Sequence, residues 1–379
     1  MVRSVRWTMT RGYGHGYRCG RGANVRVCRR TAIEGHVKIG VIASIAHRLP
    51  PRGYGPWEQV ASTLTEGFVA RGHDVTLFAS ADSVTSARLH ATAAAGYEED
   101  PRLDAKVWEA LHNAAALERA AEFDVIANHF DFMPLTYSRL VSTPMVTTIH
   151  GFSSPEIVAV YRAYDDIAHY IAISDSNRHP DLHYAATIHH GIDLSRFTFV
   201  PEPDDYLLFL GRIHPDKGAH VALEVARRSG IPLVIAGIVQ DEAYFRDAVA
   251  PHIDGVNVSY VGPVGPEQRD ALLGGARALL HLITFAEPFG LSVVEALATG
   301  TPVIATPLGS MPEIVRDGYT GFLAADVHQA VAAVARLPLI ERSACRADAV
   351  TRFGSDRMVD DHLAVFDRVL AEGAGSSAT

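Results

Sequence analysis

From Lys38 onward the chain repeats one pattern. A short apolar run closes on a small or polar residue, and a longer stretch with helical apolar spacing follows. "KIGVIAS" leads to Trp57–Ala70, which Gly72 stops; "DVTLFAS", "FDVIANH", "PMVTTIH", "HYIAIS" and "ATIHHG" continue the series. Strands that alternate with helices build a parallel sheet covered on both faces. After "HHGIDLSRF" comes "TFVPEPDD", a linker rich in proline and acid, and the scheme restarts with "YLLFLGR", "PLVIAG", "NVSYVG", "ARALLHLI" and "TPVIATP". The pattern predicts an α/β protein of two doubly wound, Rossmann-like domains, residues 37–200 and 205–354, with their mouths facing across a cleft. Ser355 to Ala371 reads as an amphipathic helix within a C-terminal segment, 355–379, expected to pack back on the first domain. A length of 379 residues is enough for two such cores.

Composition narrows the setting. Hydrophobic residues make up 48% and charged residues 20%, an ordinary globular balance, and no apolar run approaches the 18 or so residues that cross a bilayer. Cys19, Cys28 and Cys345 offer neither a disulfide framework nor clustered metal-thiolate spacing, so a reducing cytoplasm is the expected location. Residues 1–36 differ from the rest: eight arginines and one acid, Glu34, give them a formal +7 and leave −16 on residues 37–379. They read as an Arg-rich extension outside the working chain, which begins near Val37. The acidic body argues against nucleic acid as a partner.

The segment "FAEPFGLSVVEALATGTPVIA" holds two carboxylates, Glu287 and Glu295, in apolar surroundings. Pro288 pushes Glu287 out of the helical region and favours a helix starting at Pro288 itself, which places Glu287 in a loop at the carboxyl-end mouth of the sheet. Gly290 allows close backbone approach, and the first-turn amides around Gly290 and Leu291 suit a phosphate. Glu287 is then placed to face a polyol beside that phosphate, and Glu295 to reach a second hydroxyl pair. The plainer alternative is a dipole-complementing Glu287 and a solvated Glu295.

"LFLGRIHPDKG" reads as strand, turn and a helix opening near Lys217, with Arg212 and Lys217 bracketing the turn. A guanidinium fork and an ammonium are what a diphosphate leaving group needs. "PPRGYGPWEQV" sets Gly53 and Gly55 before a helix from Pro56; Trp57 and Glu58 break any G-x-G-x-x-G spacing, so a dinucleotide cofactor is not indicated. "TTIHGF" puts His150 at a strand's carboxyl end. "HPDLH" spaces His179 and His183 as a possible metal pair on one helical face, but with no third ligand in view no metal is expected.

The run "FLGRIHPDKG" followed by "AEPFGLSVVEALATGTPVIATPLGSMPEIVRDGYTGFL", with "IAISDSNR" and "TIHHGIDLSRF" before it, resembles the family-4 retaining glycosyltransferases with the GT-B fold. The resemblance runs from about Val37 to the C-terminus. It implies hexose transfer, with retention and without an obligatory metal or other cofactor, from a nucleotide diphosphate sugar to a hydroxylated small molecule, glycan or lipid-linked acceptor. UDP-glucose is the expected donor and GDP-mannose the second choice. The resemblance assigns Glu287 and the backbone of Phe289, Gly290 and Leu291 to the sugar and phosphate, and Glu295 to the ribose. Arg212 and Lys217 fall on the diphosphate, His150 beside the reacting sugar, and Gly53 and Gly55 in the glycine loop. Pro56 stands where that loop usually carries a second adjacent glycine, so one amide donor is missing. An epimerase, a phosphorylase or a non-catalytic nucleotide-sugar binder on the same scaffold are the alternatives. Acceptor choice is expected to lie in first-domain loops, notably 97–106 and 128–134.

Overall fold

The computed structural model describes residues 35–376, and the side chains up to residue 373. Most of the Arg-rich segment 1–36 therefore lies outside the described residues. Seven strands form the first sheet: β1 (Lys38–Ala43), β2 (Asp74–Phe78), β3 (Arg88–His90), β4 (Val125–His129), β5 (Met145–Ile149), β6 (His169–Ala172) and β7 (Tyr184–Thr187). Six form the second: β8 (Leu207–Leu210), β9 (Leu233–Ala236), β10 (Val258–Gly262), β11 (Ala278–His281), β12 (Val303–Ala305) and β13 (Gly321–Leu323). The spatial orders are β3-β2-β1-β4-β5-β6-β7 and β10-β9-β8-β11-β12-β13, and every pair is parallel.

The strands owe their place to burial on both faces: Ile39, Val41, Ile42 and Ala43 of β1, and Leu279 and Leu280 of β11, are almost wholly removed from water. Each sheet reverses its winding once, between β1 and β4 in the first and between β8 and β11 in the second. Chain leaving the carboxyl ends at such a point diverges to opposite faces and opens a crevice for ligands.

A helix, Ser355–Ser376, ends the described chain against the helix Pro56–Ala70. Arg71 Nε donates to Asp360 Oδ1 at 2.6 Å, Phe68 meets Phe366 with ring centroids 5.5 Å apart, and a Cβ on Gly67 would lie 2.3 Å from Val359 Cγ2. Only a residue without a side chain lets these helices approach so closely.

Three local expectations need correction. The helix after Glu287 spans Leu291–Thr299 and begins at Leu291, not Pro288; Gly290, at φ 103°, turns the chain into it. The segment at Lys217 is a short 3-10 turn, Pro215–Lys217, and the helix proper is Ala219–Ser229. Gly218 divides them at φ 75° with Leu282 O where its Cβ would stand, so no side chain fits. Finally, His179 and His183 lie in irregular chain, not on one helical face, and His183 Nδ1 pairs with Asp165 Oδ2 at 2.6 Å. Among the described residues no His, Cys, Asp and Glu set is grouped to hold a metal ion, and no helix is long and apolar enough to cross a membrane.

Candidate active site

A cleft of about 490 Å³ opens where the two reversal points face each other. All ten residues singled out in the sequence line it: Gly53, Gly55, His150, Arg212, Lys217, Glu287, Phe289, Gly290, Leu291 and Glu295. A narrower recess of about 50 Å³ adjoins it and shares Gln59, Arg269, Leu291 and Glu295.

The second-domain wall is charged. Arg212 follows β8 and Lys217 closes the 3-10 turn. Lys217 Nζ lies 2.6 Å from Glu287 Oε2 and 4.6 Å from the centre of the Phe285 ring. His281, at the end of β11, brings Nε2 within 3.5 Å of the same carboxylate oxygen. Burial pushes the Glu287 carboxyl upward, but His281 and then Lys217 outweigh it and hold the group at about 2. Arg212 reaches Asp216 Oδ2 at 3.7 Å and donates to Gln240 Oε1. Both cations are therefore held by carboxylates of the same wall, already oriented toward the cleft rather than extended into water.

The loop that carries Glu287 is pinned from behind. Ser310 N donates to Glu287 O at 3.0 Å, Ser310 Oγ donates to Phe289 O, and a Cβ on Gly309 would strike Glu287 backbone at 2.3 Å. Ser174, just beyond β6, donates its hydroxyl to Pro288 O at 2.7 Å and ties the loop to the first domain. The first bond into the helix Leu291–Thr299 runs from Val293 N to Gly290 O, which leaves the amides of Leu291 and Ser292 ahead of the ladder at its positive end. Glu295 sits one turn in, 3.3 Å from Arg269 on the helix Pro266–Gly275. Its burial raises the carboxyl pKa against the pull of Arg269 and Arg196.

The first-domain wall is made of rings. Gly55 caps the helix Pro56–Ala70, its Cβ position blocked by Pro51 at 2.8 Å, while Gly53 stands in open space. Trp57, in the first turn, stacks on His150 with centroids 5.5 Å apart and planes at 24°. His150 is 5% exposed, and both its ring nitrogens are engaged: Nε2 lies 3.1 Å from His129 Nδ1, and Nδ1 lies 3.3 Å from His190 Nε2. His362 of the C-terminal helix bonds Thr148 Oγ1 and the Met358 carbonyl beside this row. Burial holds His129, His150 and His190 well below the ordinary imidazole value and His362 at about 4, so all four are neutral near pH 7.

Sequence reasoning missed Arg269, His281, His129 and His190. The doubled histidine of "TIHHG" was a visible signal for His190, and His129 and His281 each end a strand. Arg269, partly buried on a helix with no motif around it, offered none.

The chain matches two family models: "Glycosyltransferase Family 4" over residues 57–196 and "Glycosyl transferases group 1" over residues 193–350. Among curated proteins it is 32% identical over 221 residues to the D-inositol 3-phosphate glycosyltransferase of Mycobacterium avium, covering 52% of each chain. It is 25% identical over 285 residues to the phosphatidyl-myo-inositol mannosyltransferase of Mycobacterium leprae, covering 67% of this chain and 75% of that one. The chain thus spans about half the length of the inositol phosphate relatives it matches. Among solved structures it resembles a glycosyltransferase involved in avilamycin A biosynthesis, with a TM-score of 0.66 and 24% identity over 88% of this chain and 98% of that one. With two facing doubly wound sheets and family matches that run in order through both of them, the chain belongs to the family-4 glycosyltransferases with the GT-B fold.

Proposed function

We propose that the chain is a retaining, metal-independent glycosyltransferase that moves a hexose from a nucleotide diphosphate sugar to a hydroxylated acceptor. Residues 205–354 take the donor and residues 37–200 the acceptor; residues 1–36 stand outside the working chain. UDP-glucose is the first donor and GDP-mannose the second. The names of the curated relatives point to a cyclic polyol of the inositol type as the acceptor class.

The observation that carries this reading is the Lys217–Glu287 pair, 2.6 Å apart and lining the cleft with Arg212. Negative charge grows on the leaving diphosphate as the sugar bond breaks, and cations fixed in the cleft wall stabilise it without reorganisation. The Leu291 and Ser292 amides add the positive end of a helix, so no step calls for a cation. Glu287, kept ionised, accepts from sugar hydroxyls as the ring flattens, and Glu295 takes the ribose. With the donor seated, the leaving phosphate oxygen accepts the proton of the attacking acceptor hydroxyl on the face it vacates, so that configuration is retained.

The test is to incubate the protein with each donor, with and without myo-inositol, in the presence of EDTA, and to follow release of free nucleotide. Donor turnover that persists in EDTA and rises with acceptor is expected. Turnover that needs a metal or inorganic phosphate, epimerisation without acceptor, or binding with no turnover would each overturn the reading.

A further inference from the structure

His190 follows β7 by three residues on the segment that leads from the first domain to the second. Its ring packs edge-on against Phe289, 5.0 Å between centroids, and so touches the loop that carries Glu287. On its other side it meets His150, with Nε2 spent on His150 Nδ1. His150 in turn spends Nε2 on His129. Three imidazoles therefore form one row, and the histidine expected beside the sugar has no nitrogen left over for it.

A neutral imidazole has one N–H and one lone pair, so the row runs in one of two senses. Either His190 donates to His150 and His150 to His129, or both bonds are reversed. In the first sense Nδ1 of His190 is left as an acceptor, in the second as a donor. His190 and His150 line the cleft, whereas His129, at the far end, does not. Among the described residues no group bonds Nδ1 of His190.

We propose that Nδ1 of His190 is the nitrogen of this row that meets the substrate, hydrogen-bonding a hydroxyl of the transferred sugar, while His150 and His129 behind it set which proton it presents. The proposal rests on the glycosyl-transfer reading for the identity of the ligand. His150 is then a positioning residue, held between Trp57 and the two other rings. Because the row reverses as a unit, His190 adapts to a hydroxyl that donates or one that accepts, without becoming charged.

His190→Phe keeps a ring against Phe289 and removes both nitrogens. We expect affinity for UDP to change by less than about twofold and the turnover of UDP-glucose or GDP-mannose to fall by about tenfold or more, as for one lost hydrogen bond in the transition state. His190→Asn, which restores a polar group in less space, should recover part of the rate and guards against a folding defect of the phenylalanine variant. Unchanged turnover in both variants, or equal loss of UDP and sugar-nucleotide affinity, would overturn the proposal while leaving the transferase reading intact. In histidine-15N-labelled wild-type protein, the Nδ1 signal that vanishes in His190→Asn should move on addition of sugar nucleotide and stay still with UDP. A signal that moves although neither donor is turned over would keep the contact and remove the transferase. Movement at the His150 nitrogens alone, or no response to either donor, would remove the contact.

Discussion

The two walls of the cleft solve the same problem by opposite means. On the second-domain side, the central buried charge is kept as a charge: His281 and Lys217 hold Glu287 ionised down to about pH 2, while Glu295, 3.3 Å from Arg269, has its carboxyl pushed up by burial. On the first-domain side, titratable rings are kept neutral by burial, with His129, His150, His190 and His362 bonded to each other or to Thr148 and a carbonyl and only Nδ1 of His190 in that row turned to the cleft without a partner among the described residues. The difference fits the roles proposed for the two sides. A diphosphate needs fixed positive charge, whereas a sugar ring that gains positive character is better bordered by neutral, polarisable groups than by cations.

The largest test of this contrast is pH. The histidines bind protons more weakly folded than unfolded, so their contribution is intact above the ordinary value of 6.5 and is lost as pH falls below it, toward about 4 for His362 and through the depressed range of the other three. Each such histidine costs on the order of 1.4 kcal/mol per pH unit in that window. Glu287 runs the other way: its depressed pKa stabilises the fold above the usual carboxylate range, and that share is lost only as pH falls toward about 2. Urea unfolding at pH 7.5 and pH 5.5 should therefore show a steep loss, which His362→Gln reduces and Glu287→Gln does not. A flat profile between those pH values would break the contrast.

Lys217→Ala strands a buried carboxylate whose side chain is only 15% exposed. We expect about 3 kcal/mol of lost stability, and a fall in turnover of a hundredfold or more, since both the ion pair and the transition-state cation go. Thermal unfolding and steady-state rates check the two effects; wild-type values in both would return Lys217 to an ordinary surface charge.

The two glutamates should separate more finely. Glu295→Gln is expected to weaken UDP and UDP-glucose alike by about 1.5–3 kcal/mol, whereas Glu287→Gln leaves UDP binding nearly intact and depresses transfer. Calorimetric titration decides it, and equal losses of UDP affinity in both variants would refute the division. The smallest expected effect is on stability in Arg212→Ala: its partners at the cleft rim, Asp216 and Gln240, are partly solvated, so the cost should stay under about 1 kcal/mol while the rate still drops. A stability loss comparable to that of Lys217→Ala would show that the two cations are not distinct.

How far the sequence alone reached follows from the physics of each feature. Eleven of the thirteen strands announced themselves as short runs in the sequence, most of them apolar because burial on both faces demands it, although the edge strands β7 and β10 are only partly buried. The other two did not: β3, "RLH", is an exposed three-residue edge, and β13 is three residues long and built around Gly321, whose missing side chain is what lets it lie against Val303 O. Glu287 and Lys217 were each visible as a charge beside a turn, but their pairing, 70 residues apart in the chain, was not. The start of the helix at Leu291 was obscured because Pro288 is a good first-turn residue and only the left-handed Gly290 overrides it. The histidine row was least legible of all. Its members come from β4, the end of β5 and the interdomain segment, and only the parallel register of the sheet brings them together.

The central claim, that the charged wall stabilises the departing phosphate while the sugar is attacked from the face the phosphate leaves, is tested most directly by the configuration of the product. Proton NMR of the glycoside formed in the first turnovers from UDP-glucose or GDP-mannose, with myo-inositol as acceptor, should show the α-anomer of the donor carried over. A β-linked product would mean attack from the opposite face and would contradict the account.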